Sequence, residues 1–588
     1  MAAAPNSLDS PRNDRNVGFE EENLPLSHGS STSTGHKWIS RANRSRTDVV
    51  HVESRAFRHT SIIKRPQALH YKRIDDPNSN DFPLLERKLT KARSNSSGSS
   101  GGDEEERSTD DLLKQISRLD LFVDLVWIGN LPKKQDAFSS GGVGSLLNVS
   151  WIISTKVRLT LYLLDSQSST DLMSYCPVVA NLSATFSGQA FTDSGVGIGP
   201  AILEFMLLFV PIWRTWDHLR AFCINFFVDD ILQRNFIVWI LILSVLYGIN
   251  APFAFDAQGE GGKSSLTLLI VVYLILRSSF LAANVAQAYF IPFLRRQTLF
   301  KFCAMLFSSA LWIAAIFVHY PAKIGLLIAA NAIEHPVDIF LASPIADSWL
   351  TPGWKRSTHI DHYVERHEGF FIIILGEGVF RLIEGSPSGW GLNERTGTVI
   401  LALIMYYLLH WLYFNGDHTK QFVHALRRTW WKPVLWQALH VFMFASLLVL
   451  AASTLFLVEH QDAKIHSSDD TPTVERRAEE EADAAPRAAI FAIWSASVNL
   501  SCVILFMTCI SLLNRPLDKP KTLLVNSRWM RIGGRLPIIV IICCLPLINS
   551  LTPSMWIGIV VCLLYAVSFW EWIAGLERNW KLLEPKDE

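Results

Sequence analysis

From about residue 200 to residue 575, apolar residues gather into blocks instead of alternating with polar ones. Stretches 236–246, 266–276, 304–317 and 537–548 contain no charged residue at all. Each sits in a longer run of bilayer-crossing length, since about 20 apolar residues cover ~30 Å of hydrocarbon. The pattern predicts an all-α polytopic membrane protein of about twelve transmembrane helices. These are expected at about 112–130, 200–218, 235–254, 265–289, 299–319, 322–342, 367–384, 396–415, 434–458, 487–513, 535–551 and 554–575.

The segments between the blocks give an independent orientation, because cytoplasmic loops carry an excess of Lys and Arg. With residues 1–111 in the cytosol, the inner segments collect Arg214, Arg220, Arg234, Arg295, Arg296, Lys301, Lys355, Arg356 and Arg366 among the first seven spans. Later they collect Lys420, Arg427, Arg428, Lys432, Arg515, Lys519, Lys521, Arg528, Arg531 and Arg535. The outer segments offer Lys263, Lys323 and Arg395, and the long one at 459–486 is acidic on balance. Both termini are therefore expected in the cytosol. The domains read as a polar arm (1–111), a first transmembrane half (112–342), a second (343–576) and a short tail (577–588). Nothing readable decides between plasma membrane and vacuolar membrane.

Composition removes some function classes. The 588 residues are 49% hydrophobic and carry no formal net charge, so no basic field argues for nucleic acid. Six of the eight cysteines, Cys303, Cys502, Cys509, Cys543, Cys544 and Cys562, fall in apolar runs, where cysteine acts as a small hydrophobe. No disulfide framework or zinc spacing is visible, and no cofactor is expected. The arm, with its Ser/Gly string at 94–102 and acidic run at 103–106, has too little apolar surface to offset its ordering entropy and is expected to be disordered.

The first block departs from the rule. Its apolar part, 119–130, is too short to cross, and Leu131-Pro-Lys-Lys134 cuts it off. About 65 residues of mixed character follow, up to Gly199. One reading makes 131–199 an irregular outer insertion with glycan acceptors at Asn148 and Asn181. The other makes about 131–180 a translated intron, because joining Gly129-Asn130 to Asn181-Leu182 restores a span of proper length.

Candidate chemistry lies in charges placed inside apolar blocks, where an acidic or basic side chain costs ~2.5–3.5 kcal/mol even on insertion scales. Asp120 and Asp124 stand one helical turn apart on one face of the first block. Glu334 and Asp338 repeat that spacing, with His335 beside them. Glu377, flanked by Gly376 and Gly378, lies eleven residues and ~16 Å along a helix from Arg366. Its alternative reading is a structural partner for Arg277 or Arg381. Glu204, His410 and His440 complete the set. A metalloenzyme would recruit His335, His359, His362 and His367, yet no HExxH pairing occurs, and the last three fall in an expected solvated interface. The tryptophans near span ends fit an interfacial belt and need no ligand; topology explains the arginine-rich inner segments, and contact with membrane lipids of anionic type would be an addition to it.

Two blocks carry a resemblance. Leu121-Phe-Val-Asp-Leu-Val126 and His362-Tyr-Val-Glu-Arg-His-Glu-Gly-Phe-Phe-Ile-Ile-Ile-Leu-Gly-Glu377 are similar to hallmark segments of the bacterial low-temperature-requirement A family, as is Trp411-Leu-Tyr-Phe414. The resemblance implies that family's membrane fold over about 118–575 and singles out Arg118, Phe122, His362, Glu365, Arg366, Gly376 and Glu377. It supplies no molecular activity. Asp120 where Glu is usual, the insertion and the long arm suggest a eukaryotic, fungal branch.

Arg118-x-x-x-Phe122 and Arg366-x-x-x-Phe370 open the first and seventh spans alike, as a parallel duplication of six helices would have it. The Arg-x-x-x-Phe-x-Asp form also resembles a motif of the endolysosomal potassium channel family. The sequence thus points to transport of a small ion or proton through Asp120, Asp124, Glu204, Glu334, Asp338 and Glu377. The alternative is a non-transporting scaffold or sensor whose buried charges fix packing. The intron reading predicts that a digest of the native protein contains no peptide from 135–175, and recovery of such peptides contradicts it.

Overall fold

The structure is a computed structural model that describes residues 71–73, 182–183, 186, 190–191, 198–226, 231–255, 265–356, 360–383, 391–415, 422–461, 476–517, 523–548 and 551–578. All belong to one compact unit, Ile63–Glu588. The elements are α1 (Ile198–Phe226), α2 (Ile231–Asn250), α3 (Leu266–Phe290), α4 (Arg295–Phe317), α5 (Ala322–Leu341), the short α6 (Pro344–Leu350) and α7 (Ile360–Ile383). They continue with α8 (Glu394–Asn415), α9 (Trp431–Glu459), α10 (Arg476–Leu513), α11 (Arg528–Gly533), α12 (Arg535–Cys544) and α13 (Pro553–Ala574). Among the described residues, nine helices are long and apolar enough to cross a membrane. α1 and α7, of 29 and 24 residues, have the length but carry more charge. The protein is an integral, multi-pass, all-α membrane protein.

Burial is uneven in the way a bilayer requires. In α9, 83% of the most apolar window is buried inside the protein, against 17% in the span that contains α4. The outward residues of α4, among them Leu299, Leu306, Phe307 and Phe317, are large and apolar. Water would make that face an aggregation site, whereas acyl chains cover it at no cost. α9 is central because small residues let a neighbour approach: Ala445, Ala451 and Ser453 on α9, and Ala488, Ala492 and Ala496 on α10, are buried. α9 packs against α10 and α7, and Ser453 Oγ donates to Ser495 Oγ across the seam at 2.9 Å. α7 meets α8 through Gly378, where an added Cβ would stand 2.8 Å from the ring of Tyr406.

Each span expected from 200 onward falls on a helix, and the one at 112–130 lies outside the described residues. Three helices start or end well beyond the hydropathy boundaries. α1 runs eight residues past the expected 218, α7 begins at Ile360, and α10 begins at Arg476 within the expected acidic loop. Hydropathy drops at these ends, but the Ala/Glu/Arg-rich 476–487 segment propagates helix well, and the polar turns of α1 and α7 are covered by each other and by α9.

The arm is not wholly unstructured as expected. β1 (Tyr71–Arg73) pairs antiparallel with β2 (Trp354–Arg356). A second small pair, β3 (Phe422–Val423) and β4 (Arg515–Pro516), joins the approaches to α9 to the end of α10.

Candidate functional site

Glu334 organises the first half of the described bundle. Its carboxylate meets Arg214 Nε at 2.9 Å and also pairs with Arg277 Nη1. Tyr273 Oη donates to it at 3.0 Å, Trp312 Nε1 at 3.3 Å, and Ser308 Oγ as well. One side chain on α5 thus ties together α1, α3 and α4. Arg214 reaches on through Nη2 to Asp338, 2.8 Å away. The i, i+4 spacing presents both carboxylates of α5 on one face, so a single guanidinium spans them. Two cations and two anions balance.

Exposure runs along the network: the Glu334 side chain is 2% exposed and that of Asp338 is 49% exposed. Tyr273 and Trp312, which both donate to Glu334, also line a cavity of about 10 Å³ with Leu207, Tyr247 and Leu327, near the lower limit for one water.

Two of the three helices that carry the charges contain an internal proline. Pro336 stands between Glu334 and Asp338, and Pro211 stands three residues before Arg214. A helix-interior proline has no N–H for the carbonyl four residues back, here Ala332 and Leu207, so the ladder is weakened beside the network in α5 and in α1. Tyr247 Oη donates to the carbonyl of Leu208 at 3.1 Å, next to the gap in α1.

A second polar cluster lies where α1 meets α7 and α9. Arg220 pairs with Asp217, its guanidinium lies 3.7 Å from the ring centroid of Tyr363, and its Nη1 is 3.2 Å from His367 Nδ1. That same Nδ1 lies 2.9 Å from the Tyr363 carbonyl, which can only accept. One nitrogen cannot both donate to the carbonyl and accept from the arginine, so only one of the two contacts is a hydrogen bond at a time. Among the described residues, Nε2 of His367 has no hydrogen-bond partner. The ring is packed by Trp213, Trp216, Trp436 and His440. His440 is satisfied on both sides, by the Trp436 carbonyl at 2.8 Å and Tyr413 Oη at 3.0 Å. A neutral imidazole with its proton on Nδ1 fits both contacts.

A third pair, Arg535 on α12 and Glu571 on α13, is bidentate at 2.6 and 2.8 Å and wholly buried.

The structure brings Glu334, Asp338 and Arg277 together. Glu204 sits half-buried on α1, ten residues and ~15 Å from Arg214 along the axis. Glu377 stands apart, 2.7 Å from Arg381 one turn on. Glu365 is exposed and Arg366 buried, both on α7, and Gly376 is buried there. His410 packs on Phe414. Arg118, Asp120, Phe122, Asp124 and His359 lie outside the described residues, as does the side chain of His362. Among the described residues, no three His, Cys, Asp or Glu side chains are grouped to hold a metal ion.

Several assignments change. Arg214, Arg220, Arg366, Arg531 and Arg535 were expected in inner loops, and all are buried within helices. His367, expected in a solvated interface, is fully buried. Hydropathy cannot tell an arginine that ends a span from one that lies inside it with a partner. Arg234, Arg295, Arg296, Arg427 and Arg515 do remain exposed. Glu571 went unnoticed, although a lone carboxylate in the apolar run 553–574 was a legible signal. Asp217 was masked by its Trp-Asp-His surroundings at the helix end.

A multi-pass bundle whose charges are paired across helices inside the membrane is the class defined by these observations. The family model described as bacterial low temperature requirement A protein (LtrA) matches residues 178–569, about two thirds of the chain. The chain belongs to that family. No curated protein and no solved structure matches it.

Removing one member of a buried pair strands a charge, at a cost of about 3–5 kcal/mol, whereas replacing both members with apolar residues is close to neutral. Arg535→Leu and Glu571→Leu are each expected to lower the unfolding midpoint strongly, and the double substitution is expected to restore most of the loss. Equal, additive losses in a thermal unfolding series contradict the pairing.

Proposed function

We propose that this LtrA-family protein carries a small ion or protons across its membrane, and that the Arg214, Arg277, Glu334 and Asp338 network is the part that responds to the cargo. The observation that carries the reading is the meeting of two helices with an internal proline, α1 and α5, at that network. Irregular helices at mid-membrane are kept where they line a site or a cavity. The network also has a half-exposed end at Asp338 and a cavity of about 10 Å³ lined by Tyr273 and Trp312, two of the donors to Glu334. A cation or proton that neutralises Asp338 releases one of the two anions that hold Arg214. The guanidinium then turns wholly to Glu334, and α1 and α5 bend at their prolines. Glu204, Glu377, Asp120 and Asp124 belong to this proposal as further carboxylates on the route. The activity is not enzymatic.

Twelve spans in two parallel halves, with both termini in the cytosol, complete the reading. Support comes from a repeated order of packing: α2 on α3, α3 on α4, α4 on α5 and α5 on α1 is followed by α9 on α10, α10 on α12, α12 on α13 and α13 on α8. The exposed arginines at the α1/α2, α3/α4, α8/α9 and α10/α11 junctions support the sidedness.

A second reading has its own observation. Glu334, Asp338, Glu377 and Glu571 each already pair with an arginine, which is what a scaffold that needs charges only for packing would show. Flux in proteoliposomes separates the two. With pH-sensitive and cation-sensitive dyes inside, the wild type is expected to dissipate an imposed gradient, Asp338→Asn to slow it at least tenfold, and Pro336→Ala to slow it while raising thermal stability. No flux of any tested ion in the wild type, or full flux in Asp338→Asn, overturns the transport reading.

A further inference from the structure

At the bundle end where α9 begins, four cations come from three elements: Arg427 and Arg428 at the end of the turn Ala425–Arg427, Lys432 in the first turn of α9, and Arg515 on β4. Part of this is explained by the neighbouring helix end. Arg428 Nη1 donates to the carbonyl of Leu513 at 2.7 Å, and Arg528 Nη1 to that of Asn514 at 2.8 Å. These arginines serve the last carbonyls of α10, which carry the negative end of its dipole. Asn514 Oδ1 in turn accepts from the amide of Ala425 at 2.9 Å, fixing the turn beside it.

Among the described residues, Lys432 and Arg515 have no such task. The charged groups that bear on Lys432 are Arg428 and Arg515, both cations. Among the described residues no carboxylate pairs with any of the four. Like charges held together without a counter-ion repel, and an anion between them removes the repulsion. The amino end of α9 adds to the positive field, having no side-chain cap.

The surroundings say where that anion comes from. Trp430, Trp431 and Phe422 are exposed at this same end, and the Lys432 ammonium lies 5.4 Å from the Trp431 ring centroid. Exposed tryptophans at the start of a long apolar helix mark the level of the lipid headgroups. The cations therefore stand beside residues expected at headgroup depth.

We infer that Lys432, Arg515 and the free edge of Arg428 form a binding site for the phosphate of an anionic lipid headgroup, with Trp430 and Trp431 packed on its acyl chains. The site is independent of the transport network. It holds α9, the most buried helix, to the end of α10 through a lipid bridge between α9 and β4.

The full-length protein in neutral detergent is titrated with dioctanoyl phosphatidylinositol 4-phosphate, dioctanoyl phosphatidylcholine or inorganic phosphate, with thermal stabilisation as the readout. The anionic lipid is expected to stabilise the wild type saturably and less so as salt rises, while the other two do not. Each lost cation is expected to weaken binding about fivefold, so Lys432→Gln/Arg515→Gln binds about 25-fold more weakly. Lys323→Gln, at the opposite end of the bundle, is expected to bind like the wild type. If the double variant does not elute as a folded species, Lys432→Gln alone is expected to show the fivefold loss. Unchanged binding in the folded variants overturns the site. Equal stabilisation by inorganic phosphate overturns its assignment to lipid and leaves a soluble phosphate as the ligand.

Discussion

Hydrocarbon does not solvate charge, so each ionised side chain within this bundle must be given a partner by another part of the protein. That constraint decides which helices touch. Glu334 draws Arg214, Arg277, Tyr273, Ser308 and Trp312 from three other helices, and Arg535 with Glu571 closes α12 on α13. Apolar contact alone cannot hold such helices together, because acyl chains offer equally good surroundings for leucine. The small-residue seam between α9 and α10 and the paired charges elsewhere therefore supply the specificity that water supplies in a soluble core.

The three charge clusters do not have the same character. Arg535 and Glu571 are bidentate and buried, a fixed joint. The network around Glu334 is graded instead, from a buried carboxylate to a half-exposed one, and two of its helices, α1 and α5, contain a proline. A joint built only for strength gains nothing from either feature. The cluster at His367 lies between these extremes, with one ring nitrogen contested by a carbonyl and a guanidinium and the other unpartnered among the described residues. It connects α1, which bears Arg214, to α7 and α9, so movement of α1 would be felt in the second half.

Much of this architecture was legible in the residue pattern, because a bilayer imposes length and apolarity so strictly that eleven helices can be placed from hydropathy alone. The spacing of Glu334 and Asp338 already put them on one face. What hydropathy could not convey was the fate of the arginines. Arg214 and Arg535 lower the local average just as a loop does, yet each lies within the bundle because a carboxylate waits on a neighbouring helix, and neighbours are a matter of tertiary structure. His367 was misjudged for the same reason: in sequence it stands among polar residues, and in space it stands among tryptophans. The family signature located the segment that contains it but did not say which side chains it would meet.

The claim on which the rest depends is that Arg277 and Glu334 hold one another inside the membrane. A double-mutant cycle on unfolding in lipid–detergent micelles, using Arg277→Met, Glu334→Gln and the combination, measures that directly. The account predicts that the double variant is less destabilised than the two single losses summed, by at least ~1 kcal/mol of coupling. Losses that add to within ~0.5 kcal/mol would mean that the two side chains do not interact, and the network with everything proposed from it would fall.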